Sequence, residues 1–508
     1  METKPTLKQG IKHELDQFCS HTSAHGLGQI QKSTNSLIRV AWLLFFLAGL
    51  VGISWQLSSI LIGYYAYPTH EVNKMENVAV PFPDITVCNI EPLIPQLAFP
   101  LGNDPNTSVY EYGSIKLPKI RQLIADNPNS KYLKIGRISS TKGYFENQIA
   151  AESRMASHQL NDLVVGCRYA GQNCLQNKDE YFTFLADGTY YNCYTFSSTS
   201  IAPDATGVGP NVGLSILFYL DTASGGQYPG NYDALSNVKQ SSGVRVTIHN
   251  KGSLSSPLNE GFDIMSGHST AVGLSATKIL CKGQPYGNCS LARSHAQLPQ
   301  YKYTASACLL LHAQLHISQR CGCISVDLPV PGKLKDEIYC GFYNFSDDEY
   351  MKRIECEQVA YYEFYEVIWV SDDIHICQPA CESYAYDKDI SEAKWPSVRY
   401  LQSFFDNVIA SRPDRKSVRA YTELLRLNGN SSNFTDSPLI TDNFARLNVY
   451  FTSSDVLVRS QVASYESSNL LSDMGGTIGL WAGLSFLTVL EVIVLCGKVM
   501  ALPFYKVK

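Results

Sequence analysis

The stretch LLSDMGGTIGLWAGLSFLTVLEVIVLC, residues 470–496, is long and apolar enough to cross about 30 Å of hydrocarbon as a helix. It nevertheless contains residues that a lipid-facing helix rarely carries, namely Gly475, Gly479, Gly483, Ser485 and Glu491. The three glycines recur at every fourth position, so they share one helix face and let a neighbouring backbone approach closely. A carboxylate facing lipid costs about 2.5 to 3.5 kcal/mol or more. The stretch therefore predicts a membrane helix that packs against protein or lines water.

A second apolar run, VAWLLFFLAGLVGISWQLSSILI, lies at residues 40–62. It begins too late and is too long for a cleaved signal peptide. Two membrane helices with a large segment between them are therefore expected. The predicted organisation is a cytosolic segment at 1–39, a first transmembrane helix at 40–64, an extracellular domain at 65–469, a second transmembrane helix at 470–498, and a short cytosolic tail at 499–508.

Cysteines and glycosylation sequons indicate that the middle of the chain is extracellular. Thirteen of the 15 cysteines lie between Cys88 and Cys381, and the segment between the two apolar runs also holds five sequons, at Asn106, Asn288, Asn344, Asn430 and Asn433. This combination is typical of an oxidising compartment. Residues 1–39 hold five Lys or Arg against three acidic residues, a modest positive-inside bias. Both termini are therefore predicted to be cytosolic, in a plasma-membrane protein. The net charge of −5 gives no nucleic-acid signature.

The predicted extracellular domain combines strands and helices. Runs of β-branched and aromatic residues bounded by turns predict strands in FPDITVCN, DEYFTFLA, TYYNCYTF, VGLSILFYL, GVRVTIHN and RLNVYFTSS. Apolar spacing of three to four residues predicts helices in SIKLPKIRQLIAD, NQIAAESRMASHQLNDLVVGC, ASACLLLHAQLHISQRC and SVRYLQSFFDNVIAS. The expected fold class is α+β, a disulfide-rich β-core decorated by helices.

Several motifs resemble, in the same order along the chain, those of the degenerin/epithelial sodium channel family. They are FCSHTSAHGLGQI (18–30), YYAYPTHEV (64–72), CRYAGQNC (167–174), QPYGNC (284–289), WPS (395–397) and the start of the 470–496 stretch. The resemblance covers nearly the whole chain and includes acid-sensing and peptide-gated members. It implies a homotrimeric, sodium-selective channel that amiloride blocks, with Na⁺ as the permeant ion and no cofactor.

The same resemblance implies a disulfide framework. The implied pairs are Cys88–Cys193, Cys167–Cys174, Cys289–Cys381, Cys308–Cys377, Cys321–Cys356 and Cys323–Cys340. Cys281 is left over, free or competing with Cys289, because spacing alone leaves connectivity open. His312 and His375 stand where the family often has a further cysteine pair. We expect them to be ordinary histidines rather than metal ligands.

The resemblance also assigns pore and gating roles. Gly483–Ser485 corresponds to a Gly-x-Ser selectivity belt where the helix is broken, although Leu484 is larger than the usual middle residue. The implied pore residues are Asp473, Gly476, Gly479, Gly483, Leu484, Ser485 and Glu491. His25 and Gly26 are expected to line the cytosolic pore entrance. Tyr67 and Tyr286 match an aromatic contact that couples the extracellular domain to the membrane helices.

The stimulus that opens the channel is harder to predict. Proton-gated relatives carry histidines at the positions of Ala66 and Thr69, so acid gating is disfavoured and an extracellular peptide of the FMRFamide type is preferred. The alternatives are a proton-gated, constitutive or mechanosensitive channel of the same family and, outside the family, a two-anchor structural receptor. No catalytic motif indicates an enzyme. Candidate peptide-binding residues, which offer aromatic surface and carboxylates, are Tyr110, Glu111, Tyr112, Tyr144, Phe145, Glu146, Asp179, Glu180, Tyr181 and Phe182.

Overall fold

The computed structural model describes residues 7–22, 27–94, 112–128, 141–147, 154–198, 207–222, 241–344, 346–368, 376–411 and 438–501. The chain divides into two compact units. The first, here called the membrane unit, consists of Met1–Val72, Gln284–Gly287 and Gln461–Lys508. The second, here called the sheet unit, consists of Asn73–Gly283 and Asn288–Ser460.

Helix α3 is the long apolar helix of the membrane unit. It runs without interruption from Ser36 to Tyr65 and begins where the side chain of Asn35 accepts a hydrogen bond from the Leu37 N–H at 3.0 Å. None of its described residues is buried, although its composition is strongly apolar. An apolar helix with exposed sides is stable in lipid rather than in water, so α3 has the length and composition of a membrane span. Two shorter helices precede it, α1 (Leu7–His21) and α2 (Leu27–Lys32).

The second apolar run forms two helices instead of one. In the membrane unit the final helices of the described chain, here α13 and α14, are Ser467–Ala482 and Phe486–Ala501. They meet at an angle of 73° across the three residues 483–485. Taken together the pair has the length and composition of one broken span or of a re-entrant loop.

Two β-sheets account for most of the sheet unit, and two of their strands, Thr69–Asn77 and Asp455–Ala463, also include residues of the membrane unit. The first has the strand order β1-β12-β9-β11-β6-β3, with β10 paired to β9, and the second has the order β4-β5-β2-β7-β8. The strands are β1 (Thr69–Asn77), β2 (Asp84–Asn89), β3 (Val164–Tyr169), β4 (Phe182–Asp187), β5 (Tyr191–Phe196), β6 (Leu214–Tyr219), β7 (Gly243–His249), β8 (Phe262–Met265), β9 (His268–Leu280), β10 (Glu382–Lys394), β11 (Phe444–Phe451) and β12 (Asp455–Ala463). One cluster of buried side chains draws on both sheets, including Ile85 and Val246 from the second and Ile216 and Leu447 from the first.

Helices lie between the strands along the chain. They are α4 (Leu117–Asp126), α5 (Thr141–Asn147), α6 (Leu160–Leu163), α7 (Lys178–Tyr181), α8 (Pro257–Glu260), α9 (Ala305–Cys321), α10 (Asp347–Tyr362), α11 (Leu401–Phe404) and α12 (Pro438–Asn443). Helix α9 spans the same residues as the predicted ASACLLLHAQLHISQRC helix. Thr304 begins it by accepting a hydrogen bond from the Ala307 N–H, and Gly322 ends it in the left-handed conformation with φ +63°.

All six predicted strand segments contain a strand, whereas one predicted helix extends too far. In NQIAAESRMASHQLNDLVVGC, Asn147 ends α5, Arg154 and Met155 are helical and Leu160–Leu163 forms α6, but the chain continues into strand β3 at Val164. The β-branched pair Val164 and Val165 begins this strand, which pairs with β6. Residues 148–153 of that segment lie outside the described residues. The mixed α/β architecture expected from the sequence is otherwise present.

Six disulfides link the sheet unit, and they join the same six cysteine pairs that the family resemblance implies. Cys88 and Cys193 face each other on the adjacent strands β2 and β5, with Cα atoms 4.4 Å apart. Cys321–Cys356 links α9 to α10 across 35 residues. Among the described cysteines, Cys19, Cys281 and Cys496 carry free thiols.

Candidate pore and gating site

The break between α13 and α14 begins at Gly483. This residue has φ +64°, and its N–H donates a hydrogen bond to the Gly479 carbonyl at 2.9 Å. Glycine is the residue that adopts this left-handed conformation without a steric penalty, and such a residue commonly ends a helix. The helix therefore stops at the residue where the family resemblance predicted a broken helix.

Ser485 lies at the start of the next helix. Its N–H donates to the Thr488 hydroxyl at 3.0 Å, and its carbonyl accepts from the Val489 N–H at 3.2 Å. Leu484 and Ser485 are exposed, whereas Thr488 is buried. Non-helical backbone at membrane depth is tolerated when it lines water or is covered by protein. Such backbone and the Ser485 hydroxyl supply oxygen atoms of the kind that replace the hydration shell of a cation.

Trp481 holds α13 against α3. Its indole N–H donates to the side-chain oxygen of Gln56 at 2.8 Å, which gives this polar residue of α3 a partner. A Cβ atom on Gly52 would lie 2.9 Å from the Trp481 ring, closer than packed atoms approach. Gly52 is therefore small because the tryptophan of the other helix lies over it. Two glycines of α13 differ from Gly52, because a Cβ on Gly475 or Gly476 would meet no atom of the described residues within 4 Å.

Glu491 faces protein in the structure. Its carboxylate accepts a hydrogen bond at 2.9 Å from the hydroxyl of Thr22, which directly follows α1. Further along the same two helices, Lys498 lies 3.6 Å from Glu14. These polar contacts join α1 to α14 and reduce the cost of a carboxylate in an apolar helix. His25 and Gly26, predicted at the cytosolic entrance, lie outside the described residues.

Tyrosines cluster in the membrane unit where α3 ends and α13 begins. The rings of Tyr67 and Tyr286 meet edge to face with centroids 5.2 Å apart, so the two residues predicted to couple are in contact. The Tyr465 hydroxyl donates to the carboxylate of Asp473, and this hydrogen bond raises the pKa of Tyr465 to about 12. Tyr64 lies near both pairs, with its ring centroid 6.1 Å from that of Tyr67 and 6.2 Å from that of Tyr465. Tyr64 and Tyr465 were not among the residues predicted from the sequence, although the run YYAY at residues 64–67 is a signal for Tyr64.

The predicted peptide-binding aromatics need correction, because four of them are core residues. Tyr112 and Tyr144 are buried against each other with ring centroids 4.6 Å apart. Tyr181 and Phe182 pack on Phe196 inside the main core of the sheet unit. Burying a ring of this size stabilises the fold by several kcal/mol, so these side chains do not offer a free surface to a ligand.

The other predicted ligand residues have mixed positions. Phe145 is half-buried against Tyr191 at 5.0 Å, and Glu146 is buried, which also removes this carboxylate from the predicted surface. Asp179 and Glu180 are exposed on α7. Tyr110 and Glu111 lie outside the described residues.

The structure describes two of the predicted glycosylation sites, and Asn288 and Asn344 are both exposed. Asn106, Asn430 and Asn433 lie outside the described residues. Near His312, the ligand atoms of Cys308, His312 and Cys377 lie within 4.8 Å of one another, but the two sulfurs are bonded together and offer no thiolate. This cluster therefore does not favour a metal site. His375 lies outside the described residues.

Comparison with known proteins places these features in a family context. A family model described as amiloride-sensitive sodium channel matches residues 18–495. The chain is 30% identical to the FMRFamide-activated amiloride-sensitive sodium channel of Cornu aspersum, over 96% of this chain and 84% of that protein. It is 25% identical to acid-sensing ion channel 4-B of Danio rerio, over 96% of this chain and 76% of that protein. It is 21% identical to the epithelial sodium channel subunit gamma of Neoceratodus forsteri, over 95% of this chain and 81% of that protein.

Proposed function

Because the chain belongs to the amiloride-sensitive sodium channel family, we propose that it conducts Na⁺ through a pore whose selectivity belt is the break at Gly483–Ser485. The observation that supports this most strongly is the break itself. Two apolar helices of a bent pair are joined by exposed, non-helical residues that begin with a left-handed glycine. Exposed polar backbone within an apolar span is stable when it lines a water-filled path.

The pore is proposed to form from three copies of the chain in the plasma membrane, with both termini cytosolic. The bare faces at Gly475 and Gly476 support this arrangement, because small residues in membrane helices usually mark a close helix contact. Here that contact would be with another subunit. Asp473 at the outer end of α13 then concentrates cations, and Glu491 faces α1 at the inner end.

An extracellular peptide of the FMRFamide type is proposed as the activating ligand. The name of the Cornu aspersum relative supports this choice, and the exposed carboxylates of Asp179 and Glu180 suit a peptide with a cationic residue. The binding region is proposed within residues 106–193. Tyr67 and Tyr286 then form part of the coupling path, since Tyr286 lies on the short segment Gln284–Gly287 that belongs to the membrane unit.

Proton gating is the second candidate. It is favoured by the exposed His70, whose ring nitrogen lies 3.1 Å from the Ser464 hydroxyl, next to the aromatic pair. Histidine is the side chain whose charge ordinarily changes between pH 5 and 8, and a charged ring only donates hydrogen bonds, so a contact of this kind is sensitive to acid. Current recordings from cells that express the chain distinguish the candidates, with acid, short amidated peptides and amiloride applied in turn. Peptide-evoked, amiloride-blocked Na⁺ current supports the first proposal, and current evoked by acid alone supports the second.

The belt assignment has its own test in Ser485→Leu. We expect this bulky substitution to abolish current or to lower the Na⁺/K⁺ permeability ratio while surface expression persists. Ser59→Leu, on the exposed side of α3, introduces the same side chain away from the break and serves as the matched control. A permeability ratio that stays unchanged through several Ser485 substitutions would place the belt elsewhere.

A further inference from the structure

A wide cleft opens in the sheet unit and has no part in the pore or in the proposed peptide region. It lies where the end of β9, the start of β10, the turn at 250–253 and the start of α9 come together. Its volume is about 880 Å³, within the range of small-molecule sites in proteins. We call it the basic cleft.

Apolar side chains form much of the wall of the basic cleft. Leu291 is 83% exposed, which makes it the most exposed large apolar side chain among the described residues. Leu280, Tyr303 and Tyr384 line the same space, and the Tyr303 hydroxyl is held by a hydrogen bond to the Gln378 carbonyl at 2.7 Å. An exposed leucine beside aromatic rings is a surface that an apolar ligand stabilises by excluding water.

Three cations line the same cleft, namely Lys251, Arg293 and Lys302. Burial raises the pKa of Asp84, and the charges of both lysines oppose that rise, so each lysine is close enough to this carboxyl group to interact with it electrostatically. Glu382 also lines the cleft but is already paired with Lys278 at 2.9 Å.

Arg293 differs from the two lysines. It is exposed, and its guanidinium has no hydrogen bond or ion pair with any residue that the structure describes. The first residues of α9 line the cleft as well and add the positive end of a 17-residue helix. The charged side chains that line the cleft are therefore three cations and one carboxylate, a net positive charge beside an apolar wall.

We propose that the basic cleft binds a small amphipathic anion, with an apolar body against Leu291 and Tyr384 and a single carboxylate or sulfonate beside Arg293 and Lys302. Charge complementarity selects this class, since a guanidinium binds such groups through two parallel hydrogen bonds. The same charges disfavour a cationic peptide, so this site is separate from the proposed gating ligand.

Cys281 provides a reporter inside the cleft, because its thiol is free, half-buried and part of the lining. The test uses the purified full chain with Cys19→Ser and Cys496→Ser, so that Cys281 is the remaining free thiol of the described residues. Reaction rates with the anionic reagent sulfonatoethyl methanethiosulfonate and the cationic reagent trimethylammonioethyl methanethiosulfonate are each normalised to a small free thiol. We expect the anionic-to-cationic ratio to exceed that of the free thiol at least threefold.

The charge variants locate the origin of this preference. Arg293→Gln and Lys302→Gln are expected to lower the ratio at least twofold each, whereas Lys335→Gln, which removes an exposed charge outside the lining, leaves it unchanged. A ratio equal to that of the free thiol, or one that falls equally in all three variants, would overturn the proposal.

Binding itself is tested with two dyes of matching shape. The probe is 8-anilino-1-naphthalenesulfonate, and the control is N-phenyl-1-naphthylamine, which has the same rings without the sulfonate. We expect the sulfonate dye to protect Cys281 from N-ethylmaleimide, with protection that saturates as the dye concentration rises. Arg293→Gln should raise the dye concentration needed for half-protection about tenfold. Leu291→Ser should weaken protection by either dye. Equal protection by both dyes in the wild-type chain, or protection unaffected by Arg293→Gln, would contradict an anion site.

Discussion

Gly483 shows how one residue positions the pore site. Its backbone has φ +64°, a conformation that costs a residue with a Cβ atom roughly 1 to 2 kcal/mol. The other glycines of α13 have no positive φ, so what distinguishes them is the absence of a side chain and not their backbone conformation. The position of the helix break is therefore encoded in a single backbone preference.

Gly483→Ala tests this preference directly. We expect lower current and a changed Na⁺/K⁺ permeability ratio, because the alanine disfavours the left-handed turn that ends α13. Gly63→Ala, in α3 where a Cβ meets no described atom within 4 Å, is the matched control and should conduct normally. Wild-type current and selectivity in Gly483→Ala would show that the turn tolerates a side chain.

His249 is a second residue with a measurable consequence, in this case for stability. It is buried between the hydroxyls of Thr86 at 2.9 Å and Ser253 at 3.0 Å, and burial lowers its pKa to about 4. The unfolded chain takes up a proton near pH 6.5, whereas the folded chain does so only near pH 4. Stability contributed by the neutral ring is thus present above pH 6.5 and is lost as the pH falls to 4, by about 3 kcal/mol in total.

Unfolding of the purified full chain by urea between pH 7 and pH 4 measures this loss. His249→Gln should flatten the fall in unfolding free energy over this window, even if it lowers stability at every pH. Burial raises the pKa of Asp84, so this carboxyl group favours the folded state as the pH falls, opposite to the effect of His249. The test therefore compares the slope of unfolding free energy against pH between wild type and variant. His70→Gln changes an exposed histidine and should leave the slope unchanged. Equal slopes in His249→Gln and wild type would contradict the buried neutral state.

Helix pairing in the membrane unit depends on few polar contacts. Thr22 donates a hydrogen bond to Glu491, and Glu14 lies near Lys498. Two polar contacts therefore join the α1 segment to α14. On α13 the corresponding contact is the Trp481 indole with Gln56 of α3. Hydrogen bonds in an apolar setting orient helices because their partners cannot exchange with water.

Thr22→Val and Thr22→Ser separate the hydrogen bond from the shape of the side chain. We expect the valine variant to lose about 1 kcal/mol or more of stability and the serine variant to remain near wild type. Thermal unfolding of the detergent-purified chain measures this difference. Ser20→Ala removes a half-buried hydroxyl whose hydrogen bonds stay within α1, and it controls for loss of a hydroxyl. A double change with Glu491→Gln that adds no further loss to Thr22→Val identifies the two residues as partners, while full additivity would argue against the contact.

At the scale of the whole molecule, disulfides join elements that are remote in sequence. Cys289–Cys381 and Cys88–Cys193 each close more than ninety residues, and Cys321–Cys356 ties the two long helices α9 and α10 together. Closing loops of this length removes conformations from the unfolded chain and stabilises the fold by roughly 2 to 4 kcal/mol for each bond.

Cys321→Ser is therefore expected to cost about 2 to 5 kcal/mol or to prevent folding. Cys356→Ser should cost the same, and the double variant should be no worse than either, because both remove one bond. Cys281→Ser removes a thiol that is free in the structure and is the matched control. Mass spectrometry of the intact wild-type protein that finds Cys321 and Cys356 as free thiols would contradict this framework.

Local features account for what the sequence predicted correctly. The apolar run of α3 and the strand segments such as 214–219 depend on hydropathy and β-branching within a few residues. These properties are readable without a fold because they act over one or two turns of chain. The six cysteine pairs came from likeness to a family, since spacing does not define connectivity.

By itself, the sequence determined the two apolar runs and the strand-rich class of the middle domain, whereas the break at Gly483 was predicted from likeness to a family. Tertiary structure alone decided that Tyr112, Tyr144, Tyr181 and Phe182 are core residues, because burial depends on partners far along the chain. It also decided strand β10, whose polar residues Glu382–Lys394 form a strand through pairing with β9. The basic cleft arises in the same way, since segments from four parts of the chain bring its three cations and its exposed leucine together.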